Sequence, residues 1–349
     1  MVRFLCRSLA ISSLFVPSLL ALTPDVLIPM RAVAPHVAGR YRDVRAFQQT
    51  AFGQHYVFDR RAHRVFGVDE AFDSTWQIVQ IGAEPGRIIG PTAFSTAPDG
   101  RFAVADAPEG RPRVQIFNPV GVRVAGFTLP IRARARVASD DMVISGVASI
   151  LFTGTAILIS QPENGGLVTE YGISGQEGRT FGELRVTGHE DDRDLHLALN
   201  SGIPLIDPAG GFFFVFHAGL PVFRKYDRDG RLVFERRMQG AETDVLIERL
   251  PARWPRQDGE LAVIRPTVRA AAVDRDGHLW VSFADPFTYV FDQQGDKIRI
   301  VQFKGVELIA PTSLFFTTEG RLLVTPGLFE FDSRSDRQPR PTQPRSGQR

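Results

Sequence analysis

Residues 91–129 read PTAFSTAPDGRFAVADAPEGRPRVQIFNPVGVRVAGFTL, and residues 268–303 read VRAAAVDRDGHLWVSFADPFTYVFDQQGDKIRIVQF. Each stretch contains an apolar strand, an Asp-Gly turn, a second strand and a loop. A third strand then ends in an aromatic residue followed by Asn or Asp, and a Gly turn leads to a fourth strand. Asp-Gly between apolar runs is a strong signal of a β-hairpin. The two stretches are therefore interpreted as copies of one four-stranded unit.

The unit recurs in weaker form at residues 45–82, 144–184, 197–238 and 310–332. The first turn of every copy contains a glycine, and successive glycines are 43 to 67 residues apart: Gly53, Gly100, Gly154, Gly210, Gly277 and Gly320. Four-stranded propeller blades repeat about every 40–50 residues. We therefore predict an all-β fold, a six-bladed β-propeller of four-stranded antiparallel blades over residues 24–333. A pair of β-sandwiches is the alternative, but it gives no reason for six units in register.

The sixth unit supplies only three strands before the chain becomes polar and rich in proline. A blade without its outer strand would expose unpaired backbone groups. Residues 26–37 are largely apolar and precede the first unit. We predict that this segment adds the missing outer strand and so joins the two ends of the ring.

The units resemble NHL-type repeats. Residues 102–106 (FAVAD) and 113–118 (RVQIFN), followed by Gly121, carry most of this resemblance. Nearly all of the chain after residue 21 is similar to exported bacterial six-bladed NHL-like propellers. The resemblance implies the fold alone, because that group includes ligand-binding modules, interaction scaffolds, and lyases and hydrolases with a metal in the central funnel. The units at 144–184 and 310–332 depart from the pattern, since neither has the Asp that follows the second strand.

Residues 1–21 have the pattern of a secretory signal. Arg3 and Arg7 precede an apolar stretch at residues 9–22, and Ala21 lies near its end. About 14 apolar residues are too few for a spanning helix, which needs about 20. We predict export to the periplasm or the medium, with no transmembrane span after cleavage. An uncleaved N-terminal membrane anchor is the alternative, because Leu19 is a poor residue for the cleavage site.

Charge and cysteine content narrow the choice of partners. The chain has 41 Lys and Arg against 39 Asp and Glu, and removal of Arg3 and Arg7 with the signal leaves a neutral protein. The single cysteine, Cys6, is removed as well. A neutral protein lacks the basic surface typical of nucleic-acid binding. We expect a monomer whose partner is a protein or a small molecule and not a nucleic acid.

The polar, Arg-rich and Pro-rich residues 334–349 cannot bury apolar surface and are predicted to form a disordered tail. Attachment of this tail to an anionic surface through its arginines is the alternative role, and nothing else in the sequence favours it.

In a propeller, the loops between second and third strands and the links between blades lie on one face, called here the loop face. Side chains at the ends of the second strands meet there around the channel mouth. Five such positions are aligned in the sequence: Asp59, Asp106, Ser160, His217 and Asp285. They could form a polar well that binds a ligand or a metal ion. Alternatively, the Asp side chains cap the following turns, which is the interpretation we favour. Asn164 would add a neutral oxygen of the kind that Ca²⁺ binds beside carboxylates.

Two insertions enlarge the loop face. Residues 182–197 contain His189, Asp191 and His196, which could bind a divalent cation, although their spacing matches no zinc pattern. A solvated acidic loop is the alternative that we favour for this insertion. Residues 240–266 contain Trp254, which could stack on a planar or sugar ligand or simply cover the channel.

Motifs of common enzyme classes are absent from the sequence. There is no GxSxG nucleophile elbow, no phosphate-binding P-loop, no GxGxxG and no cysteine beyond Cys6. The sequence therefore favours an exported binding or interaction module that acts through its loop face and needs no cofactor. The alternative is a hydrolase or lyase that holds a Ca²⁺ or Zn²⁺ ion in the central funnel.

Overall fold

The structure, a computed structural model, describes residues 22–130, 136–139, 142–145, 147–257, 259–261 and 263–334. The predicted signal and all of the predicted tail except Arg334 lie outside the described residues. Within them, six four-stranded blades surround a central channel, so the predicted six-bladed β-propeller is confirmed. No helix among the described residues is long and apolar enough to cross a membrane.

Three short elements precede the first blade: β1 (Asp25–Leu27), β2 (Arg31–Ala32) and the helix α1 (Pro35–Ala38). The strands of each blade are given from the channel outward. Blade 1 contains β3 (Val44–Gln49), β4 (His55–Asp59), β5 (Arg64–Val68) and β6 (Thr75–Val79). Blade 2 contains β7 (Ala93–Thr96), β8 (Phe102–Asp106), β9 (Arg113–Phe117) and β10 (Arg123–Thr128).

Between blades 2 and 3 lies a hairpin of two strands, β11 (Arg136–Ser139) and β12 (Met142–Ser145). Blade 3 contains β13 (Ile150–Phe152), β14 (Ala156–Ser160), β15 (Val168–Gly172) and β16 (Glu177–Phe181). Single-turn 3₁₀ helices follow the second strands of blades 2 and 3, at Pro108–Gly110 and Pro162–Asn164.

The two insertions contain the longer helices, and each precedes a blade. After α2 (Arg193–Leu199), blade 4 contains β17 (Gly202–Ile206), β18 (Phe212–Phe216), β19 (Val222–Tyr226) and β20 (Leu232–Arg237). The second insertion contains α3 (Ala241–Glu248), β21 (Arg256–Gln257) and β22 (Glu260–Leu261). Blade 5 contains β23 (Val268–Val273), β24 (Leu279–Phe283), β25 (Thr288–Phe291) and β26 (Lys297–Lys304). The short strand β27 (Leu308–Ile309) follows and pairs with β26. Blade 6 contains β28 (Ser313–Phe316), β29 (Arg321–Thr325) and β30 (Phe329–Asp332).

The N-terminal segment closes the ring, as predicted. Strand β2 pairs antiparallel with β30 and becomes the fourth strand of blade 6. The guanidinium of Arg31 lies 2.6 Å from the carboxylate of Glu330 across this pairing. The segment also covers a second edge, because β1 pairs in parallel with β26, the outer strand of blade 5. One short segment therefore satisfies backbone groups at the edges of two neighbouring blades.

Aromatic side chains fill the spaces between blades. Phe58 of blade 1 stacks on Phe94 of blade 2 with 5.5 Å between ring centroids, and Phe223 of blade 4 contacts Phe291 of blade 5 at 4.8 Å. Strands β8 and β24 are buried along their whole length, because neighbouring blades cover both faces of each sheet. Such strands appear in the sequence as continuous apolar runs instead of alternating patterns.

The six recurring glycines share one backbone conformation. Each lies in the turn between first and second strands, and their φ angles run from 78° to 97°. Only glycine adopts this region at little cost. The turn conformation therefore explains why glycine recurs in every unit although the surrounding residues differ.

The buried imidazole of His55 makes the stability of blade 1 sensitive to acid. His55 is 1% exposed and packs edge-on against Phe72, and burial lowers its pKa to about 4. The unfolded chain takes up this proton near pH 6.5, whereas the folded chain does so near pH 4. Stability present above pH 6.5 is therefore lost as the pH falls through this interval, by about 3 kcal/mol in total.

Urea unfolding would measure the free energy of unfolding from pH 7 to pH 4. We expect that the His55→Gln variant lacks the part of the acid destabilisation that comes from this imidazole. The exposed His36 provides the control, because His36→Gln leaves the buried imidazole of His55 in place and should keep the acid destabilisation that this burial causes. An identical pH dependence in both variants would contradict the role assigned to His55.

Candidate functional site

The central channel contains a cavity of about 350 Å³ lined by the inner strands of all six blades. The titratable side chains among the described lining residues are three arginines and one histidine: Arg45, Arg60, Arg269 and His217. No Asp or Glu is among those described lining residues. Among the described residues, the charged side chains that line this cavity are therefore all cationic.

Arg45 and Arg269 occupy matching positions in blades 1 and 5. Val44 and Ala46 flank Arg45, and they pair with Asp59 and Phe58, which are consecutive in β4. In blade 5, the two neighbours of Arg269 likewise pair with consecutive residues of β24. Each arginine is thus the extra residue of a β-bulge, a feature that bends the strand and redirects a side chain. Among the described pairings of first and second strands, only these two contain a bulge.

Arg60 and His217 also occupy matching positions, directly after the second strands of blades 1 and 4. The N–H of Arg60 donates to the carbonyl of Asp43 at 2.9 Å, and the N–H of His217 donates to the carbonyl of Ser201 at 3.0 Å. The sequence comparison aligned His217 with Asp59, which is the last residue of β4. The backbone hydrogen bonds instead place His217 one position further along the blade.

The carboxylate of Asp43 partly balances the positive charge of the cavity. It lies 2.7 Å from Nε of Arg45 and 2.9 Å from Nε of Arg60. The guanidinium of Arg60 is 1% exposed, and a cation buried to that degree requires an acidic partner. Asp43 thus contacts both arginines, and Arg269 is a third arginine of the described lining, on the wall of blade 5.

The imidazole of His217 is held in one tautomer. Its Nδ1 lies 3.3 Å from the carbonyl oxygen of Val268. A carbonyl only accepts hydrogen bonds, so Nδ1 must carry the proton. Burial lowers the pKa of His217, which favours the neutral ring. Nε2 then carries a lone pair and acts as an acceptor.

Asp59 and Asp106 are at most 1% exposed, and neither lines the cavity. Asp59 accepts hydrogen bonds of 2.7 to 3.1 Å from the backbone N–H of three residues: Arg42, Asp43 and Ala62. Asp106 accepts two hydrogen bonds of 2.8 Å from the guanidinium of Arg113 and one from the N–H of Ile89. Both carboxylates are thus engaged in holding the backbone and neighbouring side chains of their own blades.

The other predicted rim residues also lie away from the cavity lining. Asn164 donates to Oγ1 of Thr169 at 3.0 Å within blade 3. Asp285 lies 3.1 Å from the guanidinium of Arg249, which follows α3. Trp254 is half-buried against the apolar cluster around α2. Ser160 accepts from the N–H of Gly202 at 3.1 Å and does not line the cavity either. Of the seven predicted channel-mouth and rim residues, His217 alone is among the described residues that line the cavity.

The predicted metal ligands His189, Asp191 and His196 do not come together in the structure. One group of three described His, Cys, Asp or Glu side chains has ligand atoms within 4.8 Å of one another, and it is elsewhere: Asp274, Asp276 and His278. His196 instead forms a 2.8 Å hydrogen bond through Nδ1 with the hydroxyl of Thr187.

The insertion that contains His189 is attached to its neighbour on the loop face. Asp192, the N-cap residue of α2, forms an ion pair with Arg256 of β21. In blade 5, Asp274 accepts from the N–H of Asp276 and of His278, which is typical of an Asp in a turn.

The sequence interpretation missed the three arginines. A signal for two of them was present, because Val-Arg-Ala occurs at the start of the first strand in two units, at residues 44–46 and 268–270. The match places a long cation at the same point of two inner strands. No local pattern of the sequence indicates that Arg60 lines the cavity, because its place there depends on how the blades are arranged around the channel.

No family model matches this chain, and no curated protein matches it. Among solved structures, a streptogramin B lyase is similar over 82% of this chain and 78% of that chain, with 12% identity and a TM-score of 0.51. Virginiamycin B lyase from Staphylococcus aureus is similar over 81% and 77%, with 10% identity and a TM-score of 0.49. A protein of unknown function from Bacteroides caccae is similar over 78% and 85%, with 11% identity and a TM-score of 0.48. The likeness to the first of these supports the propeller fold alone.

Proposed function

We propose that this protein is a binding module that takes a small anionic ligand into its central channel. The observation that carries the proposal is the pair of bulged arginines, Arg45 and Arg269, which line the same cavity on blades 1 and 5. A guanidinium binds a carboxylate or phosphate through two parallel hydrogen bonds. A cavity of about 350 Å³ is within the usual size of small-molecule pockets.

A resident Ca²⁺ or Zn²⁺ ion does not fit the described lining of the channel. Ca²⁺ takes oxygen ligands, largely carboxylates, and Zn²⁺ takes several His, Cys or carboxylate ligands. The lining offers one imidazole, His217, and three guanidinium groups that repel a cation. We therefore assign no metal-dependent reaction to this cavity.

We also propose that the protein is an exported, NHL-like propeller. The charge and apolar pattern of residues 1–21 and the repeated units support this proposal. N-terminal sequencing of the protein from its native cells tests the export. A first residue near Leu22 is expected, whereas full-length protein in the cytosol would contradict it. Full-length protein in the membrane fraction would indicate the uncleaved anchor instead.

Replacing Arg269 is expected to weaken anion binding. Isothermal titration calorimetry at low salt, with acetate, succinate, tricarballylate, sulfate and phosphate, should find saturable binding of at least one anion. In Arg269→Gln we expect Kd to rise about tenfold or more, because a hydrogen bond to a charged group contributes about 1.5–3 kcal/mol.

The exposed Arg237 of β20 offers a matched control, since Arg237→Gln removes the same charge far from the channel lining. Its Kd should equal that of the unaltered protein. Equal weakening by both substitutions would mean that net charge alone attracts the anion, and no binding of any anion would overturn the proposal.

A further inference from the structure

We infer that the C-terminal residues 335–349 of this chain dock their proline-rich part into a groove between blades 1 and 2. The groove lies on the face of the ring that contains the Gly turns, called here the turn face. Two observations carry the inference: the groove is aromatic and acidic, and the described chain ends next to it. The inference goes beyond the proposed anion binding in the channel and does not depend on it.

Apolar side chains of two blades line this groove and are open to solvent. Phe52, in the first turn of blade 1, is 80% exposed, and Val120, in the last turn of blade 2, is 75% exposed. Trp76 and Pro119 line the same groove. Single exposed apolar residues are ordinary on a protein surface, whereas several that line one groove mark an interaction site.

The indole of Trp76 rests on the backbone of Gly67. The two residues pair across β6 and β5, and a Cβ atom at Gly67 would lie 2.4 Å from the indole ring. The missing side chain makes room for the ring, and 46% of Trp76 stays exposed. Among the described residues, Nε1 of Trp76 donates no hydrogen bond, and it is not a buried atom closed off from solvent. Aromatic-lined grooves of this kind bind segments in the polyproline II conformation.

The rim of the groove is acidic. The charged side chains among its described lining residues are Asp69 and Glu70. Asp69 accepts from the N–H of Ser74 at 3.0 Å, and such backbone hydrogen bonds lower the pKa of its carboxyl and favour the charged form. Arg31 donates to the backbone carbonyl of Glu70, while its charge is paired with the carboxylate of Glu330. The exposed carboxylate of Glu70 therefore remains open to a cationic partner.

Residues 335–349 carry the complementary groups. They read SDRQPRPTQPRSGQR, with four arginines against one aspartate. Pro341 and Pro344 are three positions apart, and a polyproline II helix has three residues per turn, so both prolines would contact one surface. Arg340 and Arg345 flank the pair. The segment thus combines two apolar rings for the aromatic wall with cations for the acidic rim.

The end of the described chain lies within reach of the groove. The hydroxyl of Ser333 donates to the carbonyl of Gly320 in the first turn of blade 6, so the chain leaves the ring on the turn face. Arg31 contacts both Glu330 of β30 and the carbonyl of Glu70, so one arginine side chain bridges the last strand and the groove rim. In the polyproline II conformation, the seven residues from Arg334 to Pro341 span about 22 Å.

Quenching of tryptophan fluorescence by acrylamide tests the docking in the chain from Leu22 to Arg349. The variant Trp76→Phe isolates the contribution of Trp76 from those of the other tryptophans. We expect Pro341→Ala combined with Pro344→Ala to raise the quenching constant of Trp76 about twofold or more, because a docked segment shields the indole from solvent. Removal of residues 335–349 should have the same effect. Gln343→Ala is the matched control, because that position would point away from the groove, and it should leave the quenching unchanged.

The acidic rim is tested in the same assay. Glu70→Gln should also increase the quenching of Trp76, whereas Glu109→Gln, which removes an exposed acid on the loop face, should not.

Three outcomes would overturn the inference. Equal quenching with and without residues 335–349 would show that the groove is not covered by this segment. An equal increase in the proline variant and in Gln343→Ala would exclude docking through the two prolines. Protection that is lost on dilution would assign the groove to the segment of a second copy. The substitutions at Pro341 and Pro344 replace no residue of the described ring, so a failure to fold does not confuse the result.

Discussion

A chain that begins at Arg40, and so lacks β1, β2 and α1, is expected to melt about 10 °C or more below the intact protein, or to aggregate. Val33 and Val37 are 3% and 1% exposed and pack in a cluster with Phe47 of blade 1 and Leu323 of blade 6. Deletion removes this apolar contact between the first and last blades. It also uncovers the outer edges of β26 and β30, which invites edge-to-edge association.

Differential scanning calorimetry and light scattering would measure this effect. A chain that begins at Leu22 is the control and keeps every described element of the ring. A finer comparison uses neighbouring residues of α1: Val37→Asp buries a charge in the cluster, whereas His36→Asp places one on the surface. We expect Val37→Asp to lower the melting temperature strongly and His36→Asp to leave it nearly unchanged. Equal melting temperatures would show that the segment does not hold the ring closed.

Replacing Asp59 with Ala is expected to lower the free energy of unfolding by about 3 kcal/mol and the melting temperature by about 5 °C. The substitution removes the acceptor of three backbone N–H groups near the start and end of the first hairpin of blade 1. Since Asp59 lies outside the cavity lining, anion binding by the folded variant should be unchanged at 25 °C.

Thermal melting and calorimetry on the same preparation distinguish the two interpretations of this residue. A ligand-binding Asp59 would give the reverse result, with lost binding and an unchanged melt. Asp229→Ala is the control, because that carboxylate lies in an exposed turn with 70% of its side chain accessible. Its substitution should change the free energy of unfolding by less than about 0.5 kcal/mol.

The repeated turns made the architecture predictable. Each Gly turn fixes the position of one hairpin, and the six hairpins fix the blade count before any long-range contact is known. The missing strand of blade 6 could be predicted because an uncovered edge requires a partner. The pairing of β1 with β26 could not, because parallel pairing across the length of the chain leaves no local pattern.

The site was less predictable because it depends on register. A bulge shifts a side chain by one position without changing the type of residue, so Arg45 and Arg269 look like ordinary strand residues in the sequence. The alignment of units also depends on register, and it matched His217 with Asp59, whereas the backbone hydrogen bonds match it with Arg60. The richness of residues 182–197 in His and Asp was a weaker guide, since composition does not fix distance. His196 lies on α2, whereas His189 and Asp191 lie in the loop before it.

The closure of blade 6 by β2 has a consequence for biosynthesis. The first strands to leave the ribosome pair with some of the last, so β2 has no partner until β30 has been made. The five preceding blades can assemble in order, but the circle stays open until β30 has been made. Contacts between the two ends of a chain form slowly because they must overcome the entropy of closing the longest loop. A growing chain of this design therefore keeps an open ring until its last blade strand, β30, arrives.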